Sequence, residues 1–168
     1  MKKEQISYFD FFVIFFRNFL FLNFCNMSKI SDILARKGSK AISVAPETSV
    51  IDALRVMAEN NIGSVVVKEN GKFVGIITER DYSRKVILKG KNSTDTKVRE
   101  IMMTDFPLLK PDDTVEYCME LLTKNNIRYL PVFKDADLAG IISISDVVTE
   151  TIRFQQQTIN HLHDYIHS

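Results

Sequence analysis

Two short stretches of the sequence, GIITERD at residues 75–81 and GIISISD at residues 140–146, follow one pattern. Each has a glycine, two isoleucines, a hydroxyl residue and, three residues after the hydroxyl, an aspartate. When the chain is shifted by 65 positions, ten identities fall in 36 aligned positions without a gap, among them Asn-Asn-Ile at 60–62 and 125–127. This indicates an internal duplication. Two copies in a chain of this size predict a pair related by a pseudo-two-fold axis rather than an extended repeat array.

Both copies predict the same order of elements. A short strand, at 41–44 or 106–109, precedes a helix that begins after Ser49 or Thr114. The helix ends at the Asn-Asn pair, two strands joined by a turn follow, and a further helix completes the unit. One such unit of roughly 55 residues buries too little apolar surface to be stable alone. We therefore predict an α/β (α+β) fold of two tandem β-α-β-β-α units packed against each other.

The first 26 residues differ from the rest in composition, because eight of the twelve phenylalanines precede residue 25. The apolar stretch at 11–25 is too short and too interrupted for a membrane span, and no small-residue cleavage site follows it. We expect translation to begin at Met27, with 1–26 outside the fold, and we expect a cytoplasmic protein. A membrane tether formed by 1–26 stays open as an alternative. The predicted division is 28–90 for repeat one, 91–97 for a linker, 98–155 for repeat two and 156–168 for a C-terminal helix extension.

Charge and chemistry exclude several function classes. The chain carries 22 lysines and arginines against 21 acidic residues, so it lacks the basic excess expected of a nucleic-acid-binding protein. Cys25 and Cys118 form neither a disulfide framework nor a metal motif, and the terminal histidines suit a helix C-terminus better than a metal site. No nucleophile–base pair, phosphate-binding glycine loop or paired carboxylates are present. We therefore expect neither catalysis nor a required cofactor or metal.

The duplicated Gly-Ile-Ile-[Ser/Thr]-x-x-Asp motif, together with Asn-Asn-Ile before a β run, resembles the CBS domain, named after cystathionine β-synthase. Two copies in tandem resemble a CBS pair, or Bateman module, of the stand-alone prokaryotic signal-transduction type. The resemblance covers residues from about 28 to 155. It implies that an adenine nucleotide such as AMP, ATP or NAD binds in clefts between the repeats as a regulatory ligand.

The resemblance also implies roles for individual residues. The hydroxyl and carboxylate of each motif would bind phosphate and ribose, and a helix N-terminus with its free N–H groups favours anions. Basic residues would neutralise the phosphates, and the early strands would hold adenine through backbone and apolar contacts. The predicted ligand-binding residues are Ser43, Val44, Gly63, Ser64, Val65, Thr78, Arg80, Asp81, Arg84, Lys85, Arg128, Tyr129, Leu130, Pro131, Ser143 and Asp146.

The two predicted clefts differ in their basic residues, and their aspartates have a second interpretation. Copy two lacks the basic helix of copy one, and Gly63 stands where copy two has Arg128, so the clefts are not equivalent. Asp81 and Asp146 could instead only cap their helices. The alternative function is therefore a ligand-free structural or dimerisation module.

The C-terminal segment carries Ile152, Ile159, Leu162 and Ile166 at a coiled-coil-like spacing. This stripe predicts packing against a partner subunit or against the pair itself. Because CBS pairs commonly form homodimers, we expect a homodimer. We also expect a further, unidentified protein that recognises its ligand-bound state.

Overall fold

The computed structural model of the protein describes residues 28–38 and 41–167, so the predicted extension at 1–26 lies outside the described residues. The described elements, in chain order, are α1 (Ile30–Lys37), β1 (Ser43–Val44), α2 (Val50–Glu59), β2 (Ser64–Glu69), β3 (Lys72–Thr78), α3 (Glu79–Lys85), a short 3-10 helix (Ile87–Lys89), α4 (Val98–Ile101), α5 (Val115–Lys124), β4 (Tyr129–Lys134), β5 (Asp137–Ser143) and α6 (Ile144–His167). They form two similar α/β units, which confirms the predicted fold class.

The first long helix of each unit begins and ends as the sequence predicts. The hydroxyls of Ser49 and Thr114 each accept a hydrogen bond from the backbone N–H three residues on, which caps α2 and α5. Each helix ends at the first asparagine of the Asn-Asn pair. The second asparagine, Asn61 or Asn126, adopts a left-handed backbone with φ 51°, which asparagine tolerates better than most residues.

The two antiparallel hairpins repeat each other in detail. β2 pairs with β3, and β4 pairs with β5. Asn70 and Gly71 both have positive φ, as the Asn-Gly turn predicts. Each hairpin is bulged once, between Val67 and Lys68 and, 65 positions later, after Val132. The duplication therefore extends to irregularities of the backbone.

The strand predicted at 106–109 does not form. In repeat one, β1 pairs in parallel with β2, and the N–H of Val66 donates to the carbonyl of Ile42 at 3.0 Å. Pro131 occupies the position of Val66 in repeat two and has no N–H to donate. The segment therefore lacks that hydrogen bond and keeps one from the N–H of Phe133 to the carbonyl of Leu109 at 2.9 Å. It does not form a strand, so the sheet of repeat two has two strands where that of repeat one has three.

Each unit has its own hydrophobic core. The first core comprises Val50, Ala53, Met57, Val65, Val67, Ile77, Val86, Val98 and Ile101. The second core comprises Ile30, Ile33, Leu109, Val115, Cys118, Leu122, Leu130, Val132, Ile142 and Val147. Cys118 is fully buried, and burial raises the pKa of its thiol to about 12, so it packs as the small apolar residue that its position predicts.

The two units exchange a helix. α1 is the first helix of the segment 28–90 but packs into the second core, whereas α4 is the first helix of the segment 98–155 but packs into the first core. The exchange is symmetrical, since the N–H of Ile30 donates to Asp113 O at 3.0 Å and the N–H of Val98 donates to Thr48 O at 2.9 Å. The division predicted by sequence, 28–90 and 98–155, therefore differs from the division by packing.

Aromatic rings also join the two hairpins. Phe73 of β3 meets Phe133 of β4 edge to face, with ring centroids 5.2 Å apart, and meets Phe106 at 6.1 Å. Across residues 28–38 and 41–167, no helix has the combination of length and apolarity that crossing a bilayer requires.

Candidate functional site

Two clefts lie between the units, and each takes one wall from each repeat. The first cleft, of about 260 Å³, is lined by Gly63, Ile76, Thr78, Glu79, Arg80, Asp81, Arg84, Lys85, Met103, Phe106, Asn126, Ile127, Arg128 and Tyr129. The second cleft, of about 280 Å³, is lined by Lys37, Gly38, Ala41, Ile42, Asn61, Ile62, Gly63, Ser64, Tyr129, Gly140, Ile141, Ser143 and Ser145.

Thr78 and Asp81 form a reciprocal cap at the start of α3, on one wall of the first cleft. The Thr78 hydroxyl and N–H donate to Oδ2 of Asp81 at 2.6 and 3.1 Å, and the Asp81 N–H donates back to the hydroxyl at 3.1 Å. The other carboxylate oxygen, Oδ1, pairs with Lys85 at 2.9 Å. Both predicted polar residues of this motif therefore face the cleft with their hydrogen bonds already made.

Ser143 and Asp146 repeat this cap beside the second cleft. The Ser143 hydroxyl and N–H each donate to Oδ2 of Asp146 at 2.7 Å. The added partner is Lys37 at the end of α1, which reaches the same carboxylate at 2.7 Å. Burial opposes ionisation of Asp146, but the hydrogen bonds from Lys37 and Ser143 outweigh it and hold the pKa of Asp146 below its ordinary value.

Four cationic residues converge on the first cleft. Arg80 spans it, because its guanidinium donates to the backbone carbonyl of Asn126 at 2.7 Å. Lys85 is committed to Asp81 and to the carbonyl of Ile101. Arg84 and Arg128 line both the cleft and a shallow basic depression that continues from it.

The described lining of the first cleft carries more positive than negative charge, because two carboxylates, Glu79 and Asp81, accompany the four cations. Within the described part of the chain, no carboxylate forms an ion pair with Arg80, Arg84 or Arg128. Among the described residues, Lys37 is the one cation that lines the second cleft, and it is paired with Asp146. The two clefts therefore differ in charge, as the sequence predicts.

Tyr129 stands between the clefts and lines both. It faces Gly63, where a Cβ would lie only 2.6 Å from the tyrosine oxygen. Burial and the nearby Glu79 carboxylate raise the pKa of Tyr129, so its hydroxyl stays protonated near neutral pH. The small Gly63-Ser64 pair of repeat one makes room for the ring at the equivalent place in repeat two.

Only some of the residues predicted to hold adenine line a cleft. Ser43 and Val44 line neither cleft, and their neighbours Ala41 and Ile42 line the second cleft instead. Val65 and Leu130 line neither cleft, because they point into the two hydrophobic cores. Pro131, on the other face of its strand, is also buried and lines neither cleft. Gly63, Ser64 and Tyr129 do line clefts.

Several lining residues were absent from the sequence-based set. Asn126 and Ile127 belong to the repeated Asn-Asn-Ile, which the sequence analysis uses as a helix end and as part of the family resemblance but not as part of the ligand site. Met103 and Phe106 come from the segment after α4, and Lys37 comes from α1. These three residues reach the clefts because of the helix exchange, which no short sequence motif predicts.

Duplicated α/β units that exchange a helix and enclose two clefts between them define a class of tandem-repeat protein whose sites are built jointly by both repeats. The CBS domain pattern matches this chain twice, over residues 30–87 and 98–152. The chain belongs to the CBS-domain family.

Similar proteins agree with this assignment. The mitochondrial CBS domain-containing protein CBSX3 of Arabidopsis thaliana is 38% identical over 146 residues, covering 82% of this chain and 71% of that protein. The crystal structure of the CBS domain NE2398 is 40% identical, with a TM-score of 0.71 over 75% of this chain and 99% of that one. The CBS domain pair of protein MJ0100, solved with 5′-methylthioadenosine and S-adenosyl-L-methionine, is 25% identical, with a TM-score of 0.65 over 75% of this chain and 97% of that one.

Proposed function

We propose that the protein is a regulatory adenine-nucleotide-binding protein whose main ligand site is the first cleft. A ligand of the AMP, ATP or NAD type would bind between the repeats and shift the pair or its dimer. A partner protein would then recognise the shifted arrangement. The proposal is supported by family membership and by the adenosine-containing ligands of the MJ0100 domain pair.

The observation that carries the proposal is the set of unpaired cations in the first cleft. Arginines without carboxylate partners that converge on one concave surface are suited to an anion with several oxygens. Arg80, Arg84 and Arg128 come from both repeats, so an anion bound among them would hold the two units together. This supports a ligand that carries phosphate groups.

The capped motif supports a position for the ribose beside Asp81. Asp81 Oδ2 is held by Thr78, whereas Oδ1 is held only by Lys85. Ribose hydroxyls that donate to Oδ1 would displace Lys85, and the ammonium group would then be free for phosphate. The described residues that line the second cleft include one cation, Lys37, which is paired, and this cleft suits a nucleoside with less negative charge.

A ligand-free structural module is the second candidate, and one observation favours it. The carboxylates of Asp81 and Asp146 already cap their helices and form ion pairs without any ligand. Helix capping alone stabilises a protein by about 1 kcal/mol. A structural role would therefore be enough to explain both aspartates.

Thermal-shift measurements with AMP, ATP, NAD and S-adenosylmethionine separate the two candidates. A ligand that binds only the folded state stabilises it by an amount that grows with the logarithm of 1 + [ligand]/Kd, and so raises the melting temperature. We expect stabilisation by at least one nucleotide, and a smaller ligand-induced shift in the Asp81→Asn variant. No shift with any of the four compounds would overturn the proposed function.

Asp52→Asn is the matched control. Asp52 occupies the same position after a capping hydroxyl, with its N–H bonded to Ser49 Oγ at 3.2 Å, but it lines neither cleft. It should lower stability without changing the ligand-induced shift. If Asp81→Asn and Asp52→Asn keep the same shift, the ribose role assigned to Asp81 is wrong.

A further inference from the structure

The end of α1 is held against the beginning of α6 beside the second cleft. The ammonium group of Lys37, the last residue of α1, donates to Oδ2 of Asp146 at 2.7 Å and lies 3.4 Å from the carbonyl oxygen of Ile141. The preceding residue, Arg36, pairs with Glu150 one turn further along α6. Two consecutive side chains therefore join the two helices.

The second cleft presents Lys37 rather than its aspartate. Lys37 and Ser143 line this cleft, but Asp146 is not among its described lining residues. In the first cleft the equivalent aspartate, Asp81, lines the cleft itself. In the second cleft a ligand therefore meets the lysine before it meets the carboxylate.

The acceptor capacity of Asp146 is already in use on one oxygen. Oδ2 accepts hydrogen bonds from the Ser143 hydroxyl, the Ser143 N–H and Lys37, each at 2.7 Å. A carboxylate oxygen has two lone pairs, so three donors already exceed its usual number. Two adjacent ribose hydroxyls that bind one carboxylate need both of its oxygens, so one of the three donors has to leave Oδ2.

Lys37 is the donor that can leave most easily. The two Ser143 groups belong to the cap that begins α6, and breaking that cap would leave backbone groups of the helix without partners. The side chain of Lys37 is 44% exposed, so its ammonium group can move into water. A ribose bound to Asp146 would therefore displace Lys37.

The lysine of the first cleft has different consequences. Lys85 pairs with Oδ1 of Asp81 from the same helix, four residues on, and it also donates to the carbonyl of Ile101 at 2.6 Å. Its release from Asp81 breaks a contact within α3. The release of Lys37 from Asp146 breaks a contact between α1 and α6.

We propose that Lys37 competes with the ligand of the second cleft for Asp146, so that it lowers the affinity of this cleft and ligand binding releases the end of α1 from Asp146. The inference rests on the proposed function, in which the motif aspartates bind ribose. Because the coupling between two binding events is reciprocal, a partner that draws the end of α1 away from α6 would tighten nucleoside binding.

Calorimetric titration of adenosine tests the competition, because adenosine has no phosphate that the charge of Lys37 could attract. An Asp81→Asn background weakens ribose binding in the first cleft. In this background Lys37→Met, which removes the ammonium group but keeps a side chain of similar length, should bind adenosine at least roughly threefold more tightly, the scale of a partly exposed ion pair. Lys37→Arg, which can keep the pair, should bind like the Asp81→Asn parent.

Lys29→Met is the matched control. It removes the ion pair between Lys29 and Asp112 at the other end of α1, outside both clefts, and should leave the affinity for adenosine unchanged. Equal or weaker binding by Lys37→Met would overturn the inference, although the proposed function would stand. Binding by the wild type but by neither the Asp81→Asn parent nor its variants would do the same, because the second cleft would then take no nucleoside. A wild type that binds neither adenosine nor a nucleotide would instead reject the proposed function and the inference with it.

Urea unfolding tests the contact without a ligand. Lys37→Met, Asp146→Asn and the double variant form a double-mutant cycle. Because the second substitution has no pair left to break, the double variant should lose less stability than the sum of the two single losses. Additive losses would mean that Lys37 does not hold Asp146 in solution, and would overturn the inference even if adenosine binds.

Discussion

Tyr129 and Gly63 determine the shape of the wall that the two clefts share. The repeats are equivalent by descent, yet position 64 is serine and its counterpart is Tyr129, so one large ring fills the space near the pseudo-two-fold axis. Gly63 has no Cβ to collide with that ring. The absence of a side chain at 63 is therefore a packing requirement imposed by repeat two.

Gly63→Ala should destabilise the protein by about 1–3 kcal/mol, the usual cost of overpacking. The new methyl group would lie 2.6 Å from the Tyr129 oxygen but 3.7 Å from the ring carbon that carries it. Tyr129→Phe should therefore remove most of the cost. Urea unfolding of the two single variants and the double variant measures this coupling. Additive effects would show that the tyrosine oxygen is not what constrains residue 63.

The Asp146 cap should make stability depend on pH in acid. Its pKa is lowered in the folded protein, so its contribution is complete above the ordinary aspartate pKa of about 4 and is lost as the pH falls through the lower folded value. Asp146→Asn should cost about 1 kcal/mol at pH 7 and progressively less toward pH 3. Unfolding free energies across this range provide the check.

Asp135→Asn, in the exposed turn between β4 and β5, is the control for that series and should differ little from wild type at any pH. A cost of Asp146→Asn that stays constant from pH 7 to pH 3 would mean that the ionised carboxylate does not provide the stabilisation.

At the scale of elements, the exchange of α1 and α4 explains the glycine in the motif that each repeat carries. A Cβ at Gly75 would lie 2.7 Å from the backbone carbonyl of Met103, just after α4. A Cβ at Gly140 would lie 2.7 Å from Leu34 Cδ2 on α1. Each exchanged segment thus approaches the partner sheet at its glycine, where no side chain stands in the way.

The two glycines should respond unequally to alanine. Gly75→Ala collides with a backbone carbonyl that accepts a hydrogen bond from Ile76 N at 3.0 Å, and that carbonyl cannot move without losing the bond. Gly140→Ala meets the end of a flexible leucine side chain, which can rotate. We expect a loss of about 2–3 kcal/mol at 75 and a clearly smaller loss at 140, both measured by urea unfolding. Equal losses would contradict the backbone collision.

Local signals predicted the elements but not their partners. The capping residues Ser49 and Thr114, the Asn-Asn stops and the Asn-Gly turn act within a few residues, and the structure confirms them. The exchange of helices depends on contacts between residues far apart in the sequence. An alignment of the repeats at their offset of 65 residues does not align the exchanged helices, because the equivalent residues Ile30 and Val98 are 68 residues apart. Lys37 and Met103 therefore reach clefts that their sequence positions did not indicate.

At the scale of the whole molecule, the near-zero net charge conceals an uneven distribution. The chain is balanced at 22 positive against 21 negative side chains. Among the described residues, however, the first cleft holds arginines from both repeats that form no ion pair with a carboxylate, and the second cleft holds one lysine, which is paired. A phosphate-bearing ligand interacts with the local charge of the cleft rather than with the net charge of the chain. We therefore predict that the phosphates of an adenine nucleotide contribute to its affinity.

Calorimetric titration of adenosine, AMP and ATP into the wild-type protein and into Arg84→Gln/Arg128→Gln is the most direct measurement of this claim. Hydrogen bonds to charged groups contribute about 1.5–3 kcal/mol each. The wild type should therefore bind a phosphorylated nucleotide at least roughly tenfold more tightly than adenosine, and the double variant should lose that advantage. The control Arg55→Gln/Arg153→Gln, outside both clefts, should keep it. Absence of binding, or a phosphate advantage that survives loss of both cleft arginines, would contradict the account.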